Sequence, residues 1–509
     1  ITPGMNLEFI PTVTAERVDR REELTDDDLR EGDIETEVGL TARWGITPNL
    51  NLNAAINPDF SQVEADAAQL GINERFALFF PEQRPFFLEG ADFFDSPLSA
   101  VFTRTVADPS WGIKLTGKEG PHGIGTFVAE DEITNLIFPG SQGSSATSLD
   151  LATTDTVARY RRDFGRSSAI GGLVTSREGG DYSNRVYGID GLYRLTDSDR
   201  VIFQALGSET RYPVETAEEF DQPRGSFDDT AYSVHYRHAS RDWFWRVGYD
   251  DIGRDFRADM GFMPRVDYTF LIGGLERIWW GDEGDWFNRI SFGGDADLTE
   301  DQDGELLERE YELFFNYQGP KESGFWLGPG MRTRTFEGIE FEQEYLNWAW
   351  WMQTTPDLYL NFWGFVGDAI DFANTRPGEQ LGVGAWIRYN MGTRTKSILS
   401  HDFRELDVEG GQLFEANLTR LRVVYQLNLR TFVRAIVEYT DITRDPTLYI
   451  DEVDAETENV FSQLLFSYKL SPQTVLFVGY SDNYAADRTV DLTQTNRALF
   501  FKVGYDWVL

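Results

Sequence analysis

The last residues of the chain alternate. Leu499, Phe501, Val503, Tyr505, Trp507 and Leu509 are apolar, and Lys502, Gly504 and Asp506 fall between them. A period of two describes a β-strand with one greasy face. The same alternation recurs upstream. Trp243, Trp245, Val247 and Tyr249 share a face opposite Arg246 and Asp250, and Tyr311, Leu313, Phe315 and Tyr317 oppose Glu310, Glu312, Asn316 and Gln318. Leu429, Thr431, Val433, Ala435, Val437 and Tyr439 oppose Arg430, Arg434 and Glu438. In a water-soluble sandwich the polar faces would point outward. In a transmembrane barrel they line the lumen and the apolar faces meet lipid.

The connections favour the barrel. Short turns such as 196–199, 240–242, 281–284, 319–322, 392–394 and 471–473 alternate with longer or more acidic links at 133–155, 212–229, 253–264, 368–378, 443–458 and 483–492. Short turns at one end and longer loops at the other characterise up-and-down outer-membrane barrels. A propeller would repeat a blade signature every 40–50 residues or so, and none is present. Counting runs predicts an all-β antiparallel barrel of about 24 strands, roughly 22 to 26, with an even number expected. The first three strands fall at about Leu7–Val18, Ile34–Gly45 and Leu50–Asn57.

Pro58 to Val101 breaks the pattern, being rich in Pro, Phe and acid without lasting alternation. So long an irregular stretch is uncommon unless it is functional. A wide barrel needs filling, so this insertion is expected to fold inward as a plug or constriction; the other reading is an outer loop on the rim. Residues 1–57 then form the first strands, 58–101 the insertion and 102–509 the rest of one barrel. Candidate plug residues are Asp59, Glu64, Asp66, Arg75, Glu82, Arg84, Glu89 and Asp92.

Asn57 to Asp66, followed by Phe80-Pro81-Glu82-Gln83-Arg84-Pro85-Phe86-Phe87-Leu88-Glu89-Gly90, resembles the hallmark of a bacterial family of outer-membrane barrel domains of unknown function. These domains usually follow a carbohydrate-binding family 9-like domain. Gly261-Phe262-Met263-Pro264-Arg265, Gly112 to Gly117, Ser471 to Tyr480 and Phe501 to Tyr505 are also similar to it. The resemblance implies the barrel and its location, and brings no established activity. Ile1 falls near the start of the barrel domain, so a glycan-binding module is expected to lie outside this chain.

Composition narrows the classes. The 509 residues include 38 Phe, 21 Tyr, 14 Trp, 47 Gly and no Cys. No stretch approaches the roughly 18 uncharged apolar residues of a membrane helix, which leaves a barrel possible. No signal peptide stands at Ile1, so an exported form would be mature or trimmed. The net charge of −39 argues against nucleic acid. Much of the acid lies in predicted loops, as a solvated surface or a cation-holding one.

Candidate chemistry is sparse. His235 and His238 sit three apart, on opposite faces of a strand, and cannot share a metal. Asp301-Gln302-Asp303-Gly304 with Glu310 partly copies a calcium loop, but Thr299 fails its first position, so a plain hairpin is expected. No catalytic constellation stands out. No enzyme activity, cofactor or metal is expected. Arg420 and Arg422 share one parity, as do Arg430 and Arg434. With Glu310 and Glu312 they are lumen-lining candidates, either as a basic ladder selecting anions or as partners of facing carboxylates.

The sequence therefore predicts a porin-like channel or translocation conduit of the Gram-negative outer membrane, for glycans or other nutrients. The alternative is an anchor or scaffold barrel holding a binding module or partner, including a sleeve for a cytochrome. Expected partners are outer-membrane lipid and lipopolysaccharide, the barrel-assembly machinery, a periplasmic or surface protein, and a glycan.

Overall fold

The computed structural model describes residues 6–26, 28–58, 66–471, 473–487 and 490–509. Alternating sequence makes strands, and the strands form one antiparallel sheet. Each strand pairs with its sequence neighbours, beginning with β1 (Leu7–Arg20), β2 (Ile34–Thr47), β3 (Leu50–Ile56), β4 (Pro109–Glu119) and β5 (His122–Asp131). Among the described residues, only the hairpin of β6 (Thr134–Pro139) and β7 (Ser144–Leu149) stands apart. The sheet contains 25 strands, but Trp507–Val508 continues the line of Thr493–Gly504 after a break at Tyr505 and Asp506. The wall thus has 24 staves.

The ends meet. β1 pairs antiparallel with Thr493–Gly504 from Thr12↔Gly504 to Arg20↔Asn496, and Phe9 faces Trp507. Closure removes both sheet edges, leaving no row of backbone groups to face hydrocarbon.

The outward parity is greasy. Leu313 is 54% exposed and Leu499 58%, alongside Val247, Tyr311 and Phe501. In water such a belt would aggregate; in lipid it is the solvated surface. Exposed aromatics gather near the short-turn rim, among them Phe164, Tyr193, Trp243, Tyr389, Tyr425 and Tyr468. Amphipathic rings favour that interface.

Turns at 120–121, 165–167, 240–242, 320–322, 392–394 and 429–430 occupy one end, and the connections 132–152, 212–225 and 253–267 the other. One expected long loop is wrong. Strands run to Asp371 and resume at Arg376, so 368–378 is mostly wall. Its carboxylates misled because these strands project beyond the apolar belt, where an outward face tolerates charge. Likewise Glu340, Glu342 and Glu344 lie within the strand Ile339–Thr355. The expected hairpin at 301–305 is a plain turn, in which Asp301 accepts from the backbone of Asp303 and Glu305 at 3.0 and 2.8 Å.

Leu313 lies mid-strand on the lipid face, so Leu313→Arg should destabilise the folded barrel by about 2–4 kcal/mol. Reversible denaturant unfolding in lipid vesicles would measure it.

Candidate functional site

The polar parity points into the bore, where residues 66–108 touch widely separated staves. Asn73 donates to the Ile370 carbonyl at 2.8 Å and accepts from the Phe372 amide at 3.1 Å. Arg404 donates to Glu74 at 2.7 Å and to the Ile72 carbonyl at 3.2 Å. Further along, the Leu98 amide donates to the Gln204 side chain at 2.6 Å. Lys114, on the inward parity of β4, donates to the carbonyls of Phe86 and Glu89.

Apolar packing fixes the later half of this segment. Phe86, Phe87, Phe94, Ala100 and Val106 share one core with Ala129, Val157, Leu173, Val186 and Leu206. Those wall residues are small or aliphatic, which leaves room for rings. Phe127 receives Phe87 and Phe94 edge-on, at 5.9 and 5.5 Å between centroids. At Gly125 a Cβ would come within 2.9 Å of Phe93, so only glycine admits the segment this close.

Charged groups lock its turns. Glu82 and Arg84 pair at 2.7 Å, and Arg84 also donates to the carbonyls of Val106 and Thr103 at 2.6 and 2.7 Å. Asp66 accepts from Arg104 at 3.0 Å, and Glu89 faces Arg43 at 3.3 Å. Arg75 lies 4.5 Å over the Phe372 ring and donates to the Gln142 carbonyl at 3.0 Å. Its pKa falls to about 10, through burial first and then neighbouring Arg334 and Arg265. Asp92 is exposed in the short turn Ala91–Phe93. Asp59 and Glu64 lie outside the described residues.

The segment's exit depends on a buried group that sequence reading missed. Arg177 bridges Asp131 at 3.0 Å and Asp155 at 3.2 Å and donates to the Thr105 carbonyl at 3.1 Å. Asp131 also accepts from the amides of Ala107 and Asp108 at 2.9 and 2.6 Å. Lys114 and Arg177 carried one available signal, a long cation on the lumen parity of a strand. What each would reach was not legible.

The lumen candidates divide. Arg420 pairs with Glu438 at 2.9 Å, as the charge-neutralising reading expects. Glu310 faces Arg332 at 3.7 Å, and Glu312 lies 3.5 Å from the Tyr345 hydroxyl. Arg422 and Arg434 line a chamber of about 560 Å³ with Arg43, Arg84, Lys469 and Lys502, and among the described lining residues Glu89 is the one carboxylate. Arg430 is not in the wall. It sits exposed in the turn after Asn428, because the strand ends before the alternating run begun at Leu429. His235 contacts Asp250 inside at 2.9 Å, while His238 stacks outside on Trp245 at 3.6 Å. Among the described residues, no group of three or more His, Asp or Glu side chains is arranged to hold a metal ion.

Residues 3–109 match the model of a domain of unknown function (DUF5916). That match covers the first three strands and the inward segment and stops as β4 begins. No curated protein is similar to the chain in sequence. The copper transporter OprC is similar in structure, with a TM-score of 0.53 and 10% identity over 78% of this chain and 77% of that one. The FrpB iron transporter of Neisseria meningitidis gives 0.45 and 10% over 99% of this chain and 83% of that one. At such identity the likeness to OprC is one of fold. With the closed wall and its lipid belt, it makes this a barrel of the bacterial outer membrane.

Glu82 gives the segment a pH dependence. Burial raises its carboxyl, and the hydrogen bonds and charge of Arg84 more than reverse that, leaving it below the ordinary value. A carboxylate depressed on folding stabilises above its unfolded pKa, about 4.3 for Glu, and that contribution fades as pH falls through the folded value. Hydrogen exchange corrected for intrinsic rates should show residues 82–106 protected at pH 7 and loosened below about pH 4. Glu82→Gln should be loose at both.

Proposed function

We propose that this barrel is a plugged conduit across the outer membrane, with the 58–101 insertion as its constriction. The observation that carries the reading is that one segment bonds to staves far apart around the wall, at Lys114, Gln204, Ile370 and Arg404. A rim loop would touch neighbouring staves at one end only. A barrel of this strand number encloses a lumen too wide for side chains to fill, so the segment sets what passes. The cationic chamber lies between it and the staves nearest the closure. A cytochrome sleeve needs a vacant bore, and the crossing segment weighs against that use.

Deleting Asp59 to Phe94 while keeping the wall should raise single-channel conductance in planar bilayers severalfold. Unchanged conductance from a correctly inserted variant would sink the constriction reading.

A further inference from the structure

The inward segment packs its rings against the half of the wall that carries Ala129, Val157, Leu173 and Leu206. The opposite half has a different inner surface. Strand Leu358–Asp371 presents Tyr359, Asn361, Trp363 and Phe365 on its lumen parity, as alternation with exposed Val366 requires. At about 3.3 Å per residue these side chains form a row roughly 20 Å long. Trp386 on the next strand meets Tyr359 at 5.8 Å, and Arg388 lies 5.4 Å from the Tyr359 ring centre.

The rings lie flat, for a reason written in the register. Trp363 pairs with Gly384, Trp351 with Gly324 and Tyr345 with Gly330. A Cβ at those glycines would come within 2.0, 2.0 and 2.3 Å of the respective ring. Each ring therefore presses one face on bare backbone. The device also serves outside, where Trp348 covers Gly364 toward lipid. Inside, the free face looks into the bore. Trp363 and Phe365 line a cavity of about 400 Å³ with Asn347, Gln380 and Asp402, beside Gln69 of the inward segment and the paired Glu74 and Arg404. That volume is at the small end of the usual range for ligand pockets, about 300–1,000 Å³.

We propose that this face is a carbohydrate subsite, with Trp363 and Phe365 as stacking platforms and Asn347, Gln380 and Asp402 binding hydroxyls. The negative face of an aromatic ring attracts the positive C–H groups of a pyranose face. Sugar hydroxyls then need donors and acceptors around the rim, which two amides and a carboxylate supply. A purely apolar ligand would leave those groups unsatisfied. Stacking in a row suits a chain of sugars better than a single ring. This inference rests on the bore being a conduit, since the subsite is reached only through it.

The test is binding to the full chain in detergent, followed by tryptophan fluorescence and calorimetry with maltohexaose, cellohexaose, xylohexaose and chitohexaose. At least one should bind saturably. Trp363→Ala with Phe365→Ala should weaken that binding roughly ten-fold or more, and lipid-facing Trp350→Ala should leave it unchanged. Gly384→Ala, which displaces the Trp363 ring without removing it, should also weaken binding. Heat-modifiable gel mobility checks that each variant is folded. Binding of none of the four sugars, or binding indifferent to Trp363 and Phe365, overturns the proposal. Conductance of the 59–94 deletion reports the conduit separately, so failure of the subsite is distinguished from failure of the conduit.

Discussion

The pairing of β1 with the last wall strand is the constraint on which everything else depends. In hydrocarbon no water satisfies a backbone N–H or C=O, and each unpaired group costs several kcal/mol. Twenty-four staves that failed to close would leave two such edges. Closure also inverts the usual rule for a folded chain. Within the lipid belt the staves turn large apolar side chains outward, and the enclosed parity carries most of the buried polar groups. Charged groups that a soluble protein would leave in water, such as Arg177, Asp131 and Asp155, are then fully buried and must find one another.

A closed wall of this size poses a second problem, the width of its lumen. The chain answers it asymmetrically. The staves from β5 onward carry Ala, Val, Leu and Gly inward, a surface with room for the phenylalanines of the inserted segment. Farther round, inward positions hold Trp and Tyr over glycines, and their rings fill space that small wall residues would leave open. The segment sets its phenylalanines against one wall and its polar residues Asn73 and Glu74 against the other.

Charge follows the same geometry. Acid on the outward faces of Asp368, Glu379 and Asp407 stands in register across three strands near the loop end. Facing like charges are unfavourable in a sheet, and water above the apolar belt screens them. The bore carries both signs in a chain of net charge −39: six cations line the chamber, while Glu310 and Glu312 face inward beside Arg332 and Tyr345. Net charge therefore says little about what the bore presents to a solute.

Alternation alone determined the class, the outward face and nearly the whole strand count, because a period of two is a local property that a single strand declares. The ends of β1, β2 and β3 were read to within about two residues for the same reason. The irregular segment was visible as a lapse in that period, though not its seat. Arg430 and the 368–378 link were misplaced, since where a strand stops depends on its partner's register and not on its own residues. Only the tertiary structure brought Lys114 under the carbonyls of Phe86 and Glu89, set Arg177 between two carboxylates, and laid Trp363 on Gly384. Each of those contacts joins residues on different staves or on the inserted segment, and such distances come into being only when the cylinder closes.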